Sequence, residues 1–480
     1  MERSKTVLLR TYGCQMNVHD SEKLVNLLRH DGWQPAQALE GADLLIINTC
    51  SIRDKAEHQL YSDLGVLREW KQASAGRLLG VGGCVAQQQG DRLLRRFPQV
   101  DFVFGTHNLR WVPAMVEAAR RGARSARTQE SSARERFDLP DRHPDLAPAT
   151  PGRAFLTVME GCDLFCSFCI VPLTRGRELS RPAAAILREA ALLAESGVRE
   201  VTLLGQTVNA YGRHALRRAS PEGTLGFAAL LAKLAEIPGL ARIRYTSPHP
   251  AFFDDALIRA HAELPELCPH VHLPLQSGSD PVLARMRRRY RADDYRRLVE
   301  RLRAARPDLA LTTDLIVGFP GESDLDFEAT LALVREVRFV DAFTFKYSPR
   351  PGTAAARDPD PVPPDVAQAR LEALQQLQRE LTLAAHRERV GGVAEVLVEG
   401  PSRRGGRQGT GRDPYHRVVN FAVSGDGSPA PGELVPMRLV EATPHSLIGE
   451  RLEGPGAAAG TLTGAPGRAD ESSWSSVSGP

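Results

Sequence analysis

Three cysteines in one short loop constrain this chain more than any other feature of it. Gly161-Cys162-Asp163-Leu164-Phe165-Cys166-Ser167-Phe168-Cys169 spaces them C-x3-C-x2-C. The loop therefore brings three thiolates to one point, and thiolates gathered this way are ligands of iron–sulfur clusters or of zinc. The ligand count separates the two. A structural zinc site takes four ligands, typically as two separated pairs, and no fourth Cys or His lies beside this loop. Three thiolates on a four-iron cluster leave one iron open to a substrate or cofactor. On spacing alone, a zinc site completed from a distance remains the alternative.

Cysteine usage elsewhere points to the same chemistry. Seven cysteines, an odd number in 480 residues, do not make a disulfide framework and indicate metal or redox chemistry in a reducing compartment. No apolar run is long enough to cross a bilayer, and Met1-Glu2-Arg3-Ser4-Lys5 leads into a strand-like segment without a signal-peptide core. A cytoplasmic protein with no membrane partner is expected. The chain has room for two or three domains. Its net charge of +3 is weak evidence for a polyanionic partner, and the clusters Arg285–Arg289 and Arg403-Arg404 fit RNA binding or a GC-rich genome equally well.

The first segment, 1–125, holds three apolar strand-like runs, each ending in a loop with one cysteine. Val7-Leu8-Leu9 leads to Cys14, Leu44-Leu45-Ile46-Ile47 to Cys50, and Leu78-Leu79-Gly80-Val81 to Cys84. Helix-like stretches lie between them, one with Asp20-Ser21 as candidate N-caps running to about His30, the other over 54–72. Such alternation predicts a doubly wound parallel sheet, whose ligands bind beyond the carboxyl ends of the strands. Cys14, Cys50 and Cys84 would share one rim, as a second three-thiolate set. The alternative is three separate buried cysteines acting as small hydrophobes. Cys268 reads as a bystander. Residues 126–151, rich in Ala, Arg and Ser and then in Pro, read as a linker.

From 152 to 385, six strand signals, mostly separated by amphipathic helical periods, predict a partial (β/α)6 barrel with its chemistry at the carboxyl ends of the strands. The signals are 154–158, 200–204, 242–246, 270–273, 311–317 and 341–345. Cys162, Cys166 and Cys169 follow the first strand. By the same logic Gln206, Asn209, Ser247, His249, Gln276 and Ser277 reach that rim. Gly318 and Gly321 follow the fifth strand, where glycine permits close backbone approach to a ligand. Together they outline a site for a nucleoside-sized cofactor. From 386 to 453, short β-like runs with Gly-rich turns predict a small OB-like β-barrel. Arg403, Arg404, Arg407, Arg412 and Arg417, with Tyr415 and His416 nearby, are its candidate RNA contacts, the alternative being a solvated hairpin loop. Residues 454–480 are expected to be disordered.

Taken together, these residues resemble the radical S-adenosylmethionine (SAM) methylthiotransferases, over about residues 6–450. The resemblance implies an N-terminal three-cysteine domain, a radical SAM barrel and a C-terminal TRAM domain. Within that family, Thr11-Tyr-Gly-Cys-Gln-Met-Asn17, His272-Leu-Pro-Leu-Gln-Ser-Gly-Ser-Asp280 and Arg417-Val-Val-Asn-Phe421 resemble the branch that modifies C2 of N6-dimethylallyladenosine beside the anticodon of tRNA. It implies two [4Fe-4S] clusters, one on Cys162, Cys166 and Cys169 and one on Cys14, Cys50 and Cys84, with SAM on the open iron of the first and Phe168 near its adenine. It further implies a tRNA anticodon stem-loop as substrate, a flavodoxin- or ferredoxin-type reductant, a sulfur donor and a monomeric enzyme. Relatives acting on threonylcarbamoyladenosine or on a ribosomal-protein aspartate differ within these motifs and remain the alternative. A non-catalytic RNA-binding protein stabilised by metal is the alternative of another class. Thr207 and His416 depart from the branch, which commonly has asparagine at both places; neither is expected to touch a cluster ligand.

Overall fold

The computed structural model describes residues 5–452, apart from 52–53, 144, 147, 214–224, 403–404, 406 and 424–427; the tail expected to be disordered lies outside that set. The first segment forms a six-stranded, fully parallel sheet in the order β2-β1-β3-β4-β5-β6. Its strands are β1 (Thr6–Tyr12), β2 (Gln34–Pro35), β3 (Leu44–Thr49), β4 (Leu78–Gly83), β5 (Phe102–Phe104) and β6 (Ser125–Arg127). β3 and β4 are buried along their whole length, as continuous apolar runs require. Leu44 and Ile46 face helices Gln15–His30 and Val112–Arg120, while Leu45 and Ile47 face helix Asp54–Gln72. Gly80 lets β5 close on β4, because a Cβ there would sit 2.3 Å from the Phe102 ring.

Two expectations change here. Asp20 and Ser21 do not cap the first helix, which begins at Gln15 with Cys14 at its N-cap. They are buried, Asp20 against Arg175 and Ser21 against Asn48 and Thr11. The expected linker starts inside β6, which pairs with β5, and it contains helix Ala133–Phe137. β6 is a short edge strand of polar and small residues, so no apolar period announced it.

The central segment has its six strands where the sequence places them: β7 (Arg153–Thr157), β10 (Glu200–Leu204), β11 (Arg242–Tyr245), β12 (His270–His272), β13 (Ala310–Val317) and β14 (Asp341–Lys346). A small antiparallel pair, β8 (Met159–Glu160) and β9 (Leu179–Ser180), brackets the cysteine loop. The parallel trios β11-β10-β7 and β12-β13-β14 meet where Ile243 bridges to Leu267, giving an open barrel. The N-terminal sheet docks on its carboxyl-end rim, with Lys23 Nζ 3.4 Å from Thr157 Oγ1 and 3.9 Å from Glu160.

The C-terminal segment is a closed barrel, β15-β16-β17-β19-β18, of β15 (Val393–Pro401), β16 (Gln408–Arg412), β17 (Val418–Ala422), β18 (Leu434–Ala442) and β19 (Leu447–Arg451). It closes the opposite end of the central barrel, where the strands begin. Buried Glu200 meets Arg244 (2.9 Å), Arg153 (3.3 Å) and Arg242 (3.7 Å). Arg153 also pairs with Glu399, and Arg242 with Glu395. Tyr415 bonds Asp308, and His416 stacks on His270. The two ends of the barrel thus have different partners: cysteine sheet above, small barrel below.

Candidate metal centres

β1, β3 and β4 are neighbours in register, Tyr12 beside Thr49 and Thr49 beside Gly83, so Cys14, Cys50 and Cys84 leave three adjacent strand ends. The backbone there is tight. A Cβ on Gly13 would lie 2.4 Å from Cys50 Cβ, and one on Gly83 2.3 Å from Thr49 O; both glycines have positive φ. Asn17 and Asn48 tie the ends together: Asn17 Nδ2 reaches Asn48 Oδ1, Asn48 Nδ2 donates to Asn17 O and Ser21 Oγ, and Cys14 Sγ donates to Asn17 Oδ1 at 3.2 Å.

The Cys50 thiol hydrogen-bonds to both other sulfurs. That contact, with help from the Arg175 cation, draws Cys14 down to about 6 and Cys84 down to about 7, while Cys50 as the shared donor is pushed up. Lowering two of three neighbouring thiols favours the thiolate form that a metal cluster needs. Arg175 comes from the other domain, just after helix Val171–Thr174, and is held by Asp20 at 2.7 Å with both side chains buried. The segment that begins in the C-x3-C-x2-C loop therefore ends against the second cysteine set.

In that loop Cys162, Cys166 and Cys169 pack in one cluster with Leu164 and Val171. Burial pushes the Cys162 thiol up and takes Cys169 to about 12, so binding a cluster here releases protons. Two sulfurs have buried side-chain partners: Thr207 Oγ1 lies 3.1 Å from Cys162 Sγ, and Arg288 Nη1 lies 3.5 Å from Cys166 Sγ. Among the described residues, no three Cys, His, Asp or Glu side chains are posed around a single-ion position; both sets are neighbouring sulfurs on adjoining backbone.

Around the loop, Gln206 Oε1 accepts from Gly161 N. Ser247 and Gln276 both sit at positive φ, 57° and 72°, outliers of the kind that collect at functional rims. His249 Nε2 is buried without a partner, and burial drives that ring's pKa down to about 2, so it stays neutral. Phe168 stands edge-on to Phe319. An orphaned ring nitrogen and strained rim residues beside three thiols suit a cluster with a polar cofactor. Asn209 is spent within the protein, bonding both ways to the His249 backbone. Gly318 N donates to Glu322, and a Cβ on Gly318 or Gly321 would meet Ala367 or the Arg285 guanidinium.

Residues 6–105 match the uncharacterised protein family UPF0004, 156–334 the Radical SAM superfamily and 387–452 the TRAM domain. The chain is 49% identical over 451 residues to the tRNA-2-methylthio-N(6)-dimethylallyladenosine synthase of Geobacter metallireducens, covering 94% of this chain and 99% of that one. With the enzyme of the same name from Cereibacter sphaeroides it shares 48% over 452 residues, covering 94% and 100%. The chain belongs to the tRNA-2-methylthio-N(6)-dimethylallyladenosine synthase family. A solved structure of the radical S-adenosylmethionine methyltransferase TsrM from Kitasatospora setae superposes with a TM-score of 0.53 over 74% of this chain and 77% of that one, at 15% identity, and shares the fold.

Against the sequence expectations, Thr207 and the C-terminal arginines are placed differently. Thr207 does touch a candidate ligand, Cys162. One position after Gln206, a hydroxyl in place of a longer amide leaves its oxygen at the sulfur. The C-terminal arginines also divide. Arg403 and Arg404 lie outside the described residues, and Arg407 is exposed. Arg417, by contrast, is buried and bonds Asp341 at 3.2 Å, while Arg412 bonds Glu399 and His416 O, each at 3.0 Å. Arg417 therefore ties the small barrel to the central one through Asp341, while the Arg412 side chain is held within the small barrel. His416 has φ 64°, a region that Asn and His both tolerate, which accounts for that departure. Sequence reasoning missed Arg175 and Arg288 as neighbours of the cysteines; each sits in an arginine-rich stretch with nothing local to single it out.

Proposed function

We propose that this chain methylthiolates C2 of N6-dimethylallyladenosine beside the anticodon of tRNA, converting it to the 2-methylthio form. The observation that carries the reading is that two separate three-cysteine sets are joined by one segment, 162–175, running from one set to the Arg175 cation at the other. Cys162, Cys166 and Cys169 would hold one [4Fe-4S] cluster, and Cys14, Cys50 and Cys84 another. When bound, the clusters and SAM supply a radical to activate C2, the sulfur and the methyl group.

The chain's own work is to hold and shield. Thr207 and Arg288 place donors on two of the loop's sulfurs. Arg175 balances negative charge at the other set. Ser247, Gln276 and His249 line the rim where a cofactor's polar groups would be fixed, with Phe168 beside them. Burial of the cysteines excludes water. A base must leave the anticodon stack to reach such a rim, which a looped RNA allows at low cost. A reductant protein and a sulfur donor come from outside, and the enzyme works as a cytoplasmic monomer. Among the described residues no helix is long and apolar enough to cross a membrane.

The test is iron and sulfide content of anaerobically reconstituted protein, with mass spectrometry of nucleosides from a prenylated anticodon stem-loop. The C162A/C166A/C169A variant should keep about half the iron, as expected for two independent clusters, and form no 2-methylthio product. Zinc in place of iron, or product on a protein side chain only, would refute the reading.

A further inference from the structure

The turn that backs the cysteine loop is built of arginines in a backbone conformation arginine rarely takes. Helix Asp280–Arg285 ends with Arg287 N and Arg288 N bonding back to Ala284 O and Leu283 O, each at 3.0 Å. Glycine usually fills the left-handed position of such an ending. Here it is Arg287 (φ 59°), and Arg289 (φ 56°) repeats the conformation. Phe165, inside the cysteine loop, is a third case (φ 50°). All three line one cavity of about 800 Å³. Left-handed side chains gathered around one concavity mark a place where those side chains are kept despite strain.

The turn sorts its side chains. Arg288 goes inward to Cys166 Sγ and to Pro274 O. Arg287 and Arg289 are exposed, and their side chains make no ion pair or hydrogen bond among the described residues. Their neighbours are committed, Arg291 to Asp280 at 2.8 Å and Arg285 to Asp360 at 3.8 Å. Phe165 is 43% exposed, with the Arg177 guanidinium 5.2 Å from its ring centre. The cavity thus shows a bare ring and two uncommitted cations, and on each segment the adjoining residue is Cys166 itself or its hydrogen-bond donor.

We propose that this cavity docks an acidic, low-potential electron-donor protein of the flavodoxin or ferredoxin type. The inference rests on the functional reading above, which needs electrons delivered singly to a cluster on Cys162, Cys166 and Cys169. Position argues for this occupant over RNA. None of the rim residues Gln206, Asn209, Ser247 or Gln276 lines the cavity. The turn instead packs on the outside of the loop, Ser167 N and Oγ bonding Met286 O and Arg285 O. An electron entering at Phe165 or Arg288 is next to a cluster sulfur without crossing the substrate rim. One electron leaves the donor, which is oxidised, and the cluster is reduced; no covalent bond forms or breaks. The free cations supply steering toward an acidic face.

The test is the R287G/R289G variant of the full chain, since glycine keeps the left-handed turn while removing both cationic side chains. Reconstituted protein is mixed with flavodoxin hydroquinone, and cluster reduction is followed by loss of visible absorbance. Reduction should slow by at least about tenfold at low ionic strength, the range over which charge steering acts, and the gap should close with added salt. Dithionite, a small reductant, should reduce both proteins equally fast. Equal rates with flavodoxin would overturn the proposal. So would loss of anticodon stem-loop binding with flavodoxin reduction intact, which would assign the surface to RNA. A wild-type chain without a reducible cluster would instead refute the functional reading, and this inference with it.

Discussion

Glu200 is the charge on which the floor of the central barrel depends, and Glu200→Gln tests that. The carboxylate is fully buried among Arg244, Arg153 and Arg242 at 2.9, 3.3 and 3.7 Å. Glutamine keeps the volume and removes the charge. Arg153 and Arg242 retain Glu399 and Glu395, but Arg244 is left with neutral acceptors, the introduced amide oxygen and the Asp413 carbonyl. Removing one partner of a buried ion pair costs about 3–5 kcal/mol. At about 2–4 °C per kcal/mol for a domain of this size, the melting temperature should fall by roughly 6–20 °C. Scanning calorimetry reads this directly. The double variant E200Q/R244M should regain part of the loss, because it removes the stranded cation. Burial alone would raise the Glu200 pKa, but Arg244, Arg153 and Arg242 hold it below the usual carboxylate value. A depressed folded pKa stabilises above the unfolded value, about 4.3, and that stability is lost as pH falls through the folded pKa. The gap between wild type and E200Q should therefore be full at neutral pH and shrink in acid. A fall under about 2 °C at neutral pH, against the several degrees this scaling requires, would refute a desolvated hub.

Three further perturbations separate the sites. Gly13→Ala drives a Cβ into Cys50 at 2.4 Å and should remove the N-terminal share of the iron while the barrel share stays, read as iron per chain; full iron content would show that the strand ends can part. Thr207→Val deletes the hydroxyl 3.1 Å from Cys162 Sγ and should make the barrel cluster harder to reduce, since hydrogen bonds to ligand sulfurs tune reduction potential. An EPR-monitored titration checks this, with Thr207→Ser close to wild type. Arg417→Ala should lower the melting temperature and leave the salt dependence of stem-loop binding unchanged, whereas loss of one phosphate contact at Arg407 should reduce the log–log slope by about 0.7. A changed slope in R417A would return that residue to the RNA interface.

The legibility of this fold follows burial. β3 and β4 were readable because strands covered on both faces are apolar throughout, and the barrel strands because short runs with apolar centres recur between amphipathic helical periods. β6 and β16 were not, one a polar edge strand and the other the glycine-rich Gln408–Arg412, where neither period nor propensity marks a strand. The cysteines could be placed because each follows a readable strand. Their electrostatic partners could not. Arg175, Arg288 and Thr207 reach the sulfurs only through folding, and a guanidinium that ends beside a buried thiol looks in sequence like one facing solvent.

The same blindness hid the protein partners of Arg412 and Arg417, and the consequence is architectural. A basic cluster on a small barrel reads as an RNA contact, yet Arg417 pairs with Asp341 of the barrel floor, Tyr415 bonds its Asp308, and Glu200 is met by the floor's own Arg244, Arg153 and Arg242. The cysteine sets sit at the other end, around the carboxyl ends of β1, β3, β4 and β7. The exposed part of the small barrel and the rim at Ser247 and Gln276 thus lie at opposite ends of the central barrel, with its side between them. The gap in the wall lies at β14, the edge strand beside β13, where Phe343 and Phe345 are exposed and Phe343 meets His272 edge-on. Exposed phenyl rings on a strand edge are of the kind that stack with an unpaired base.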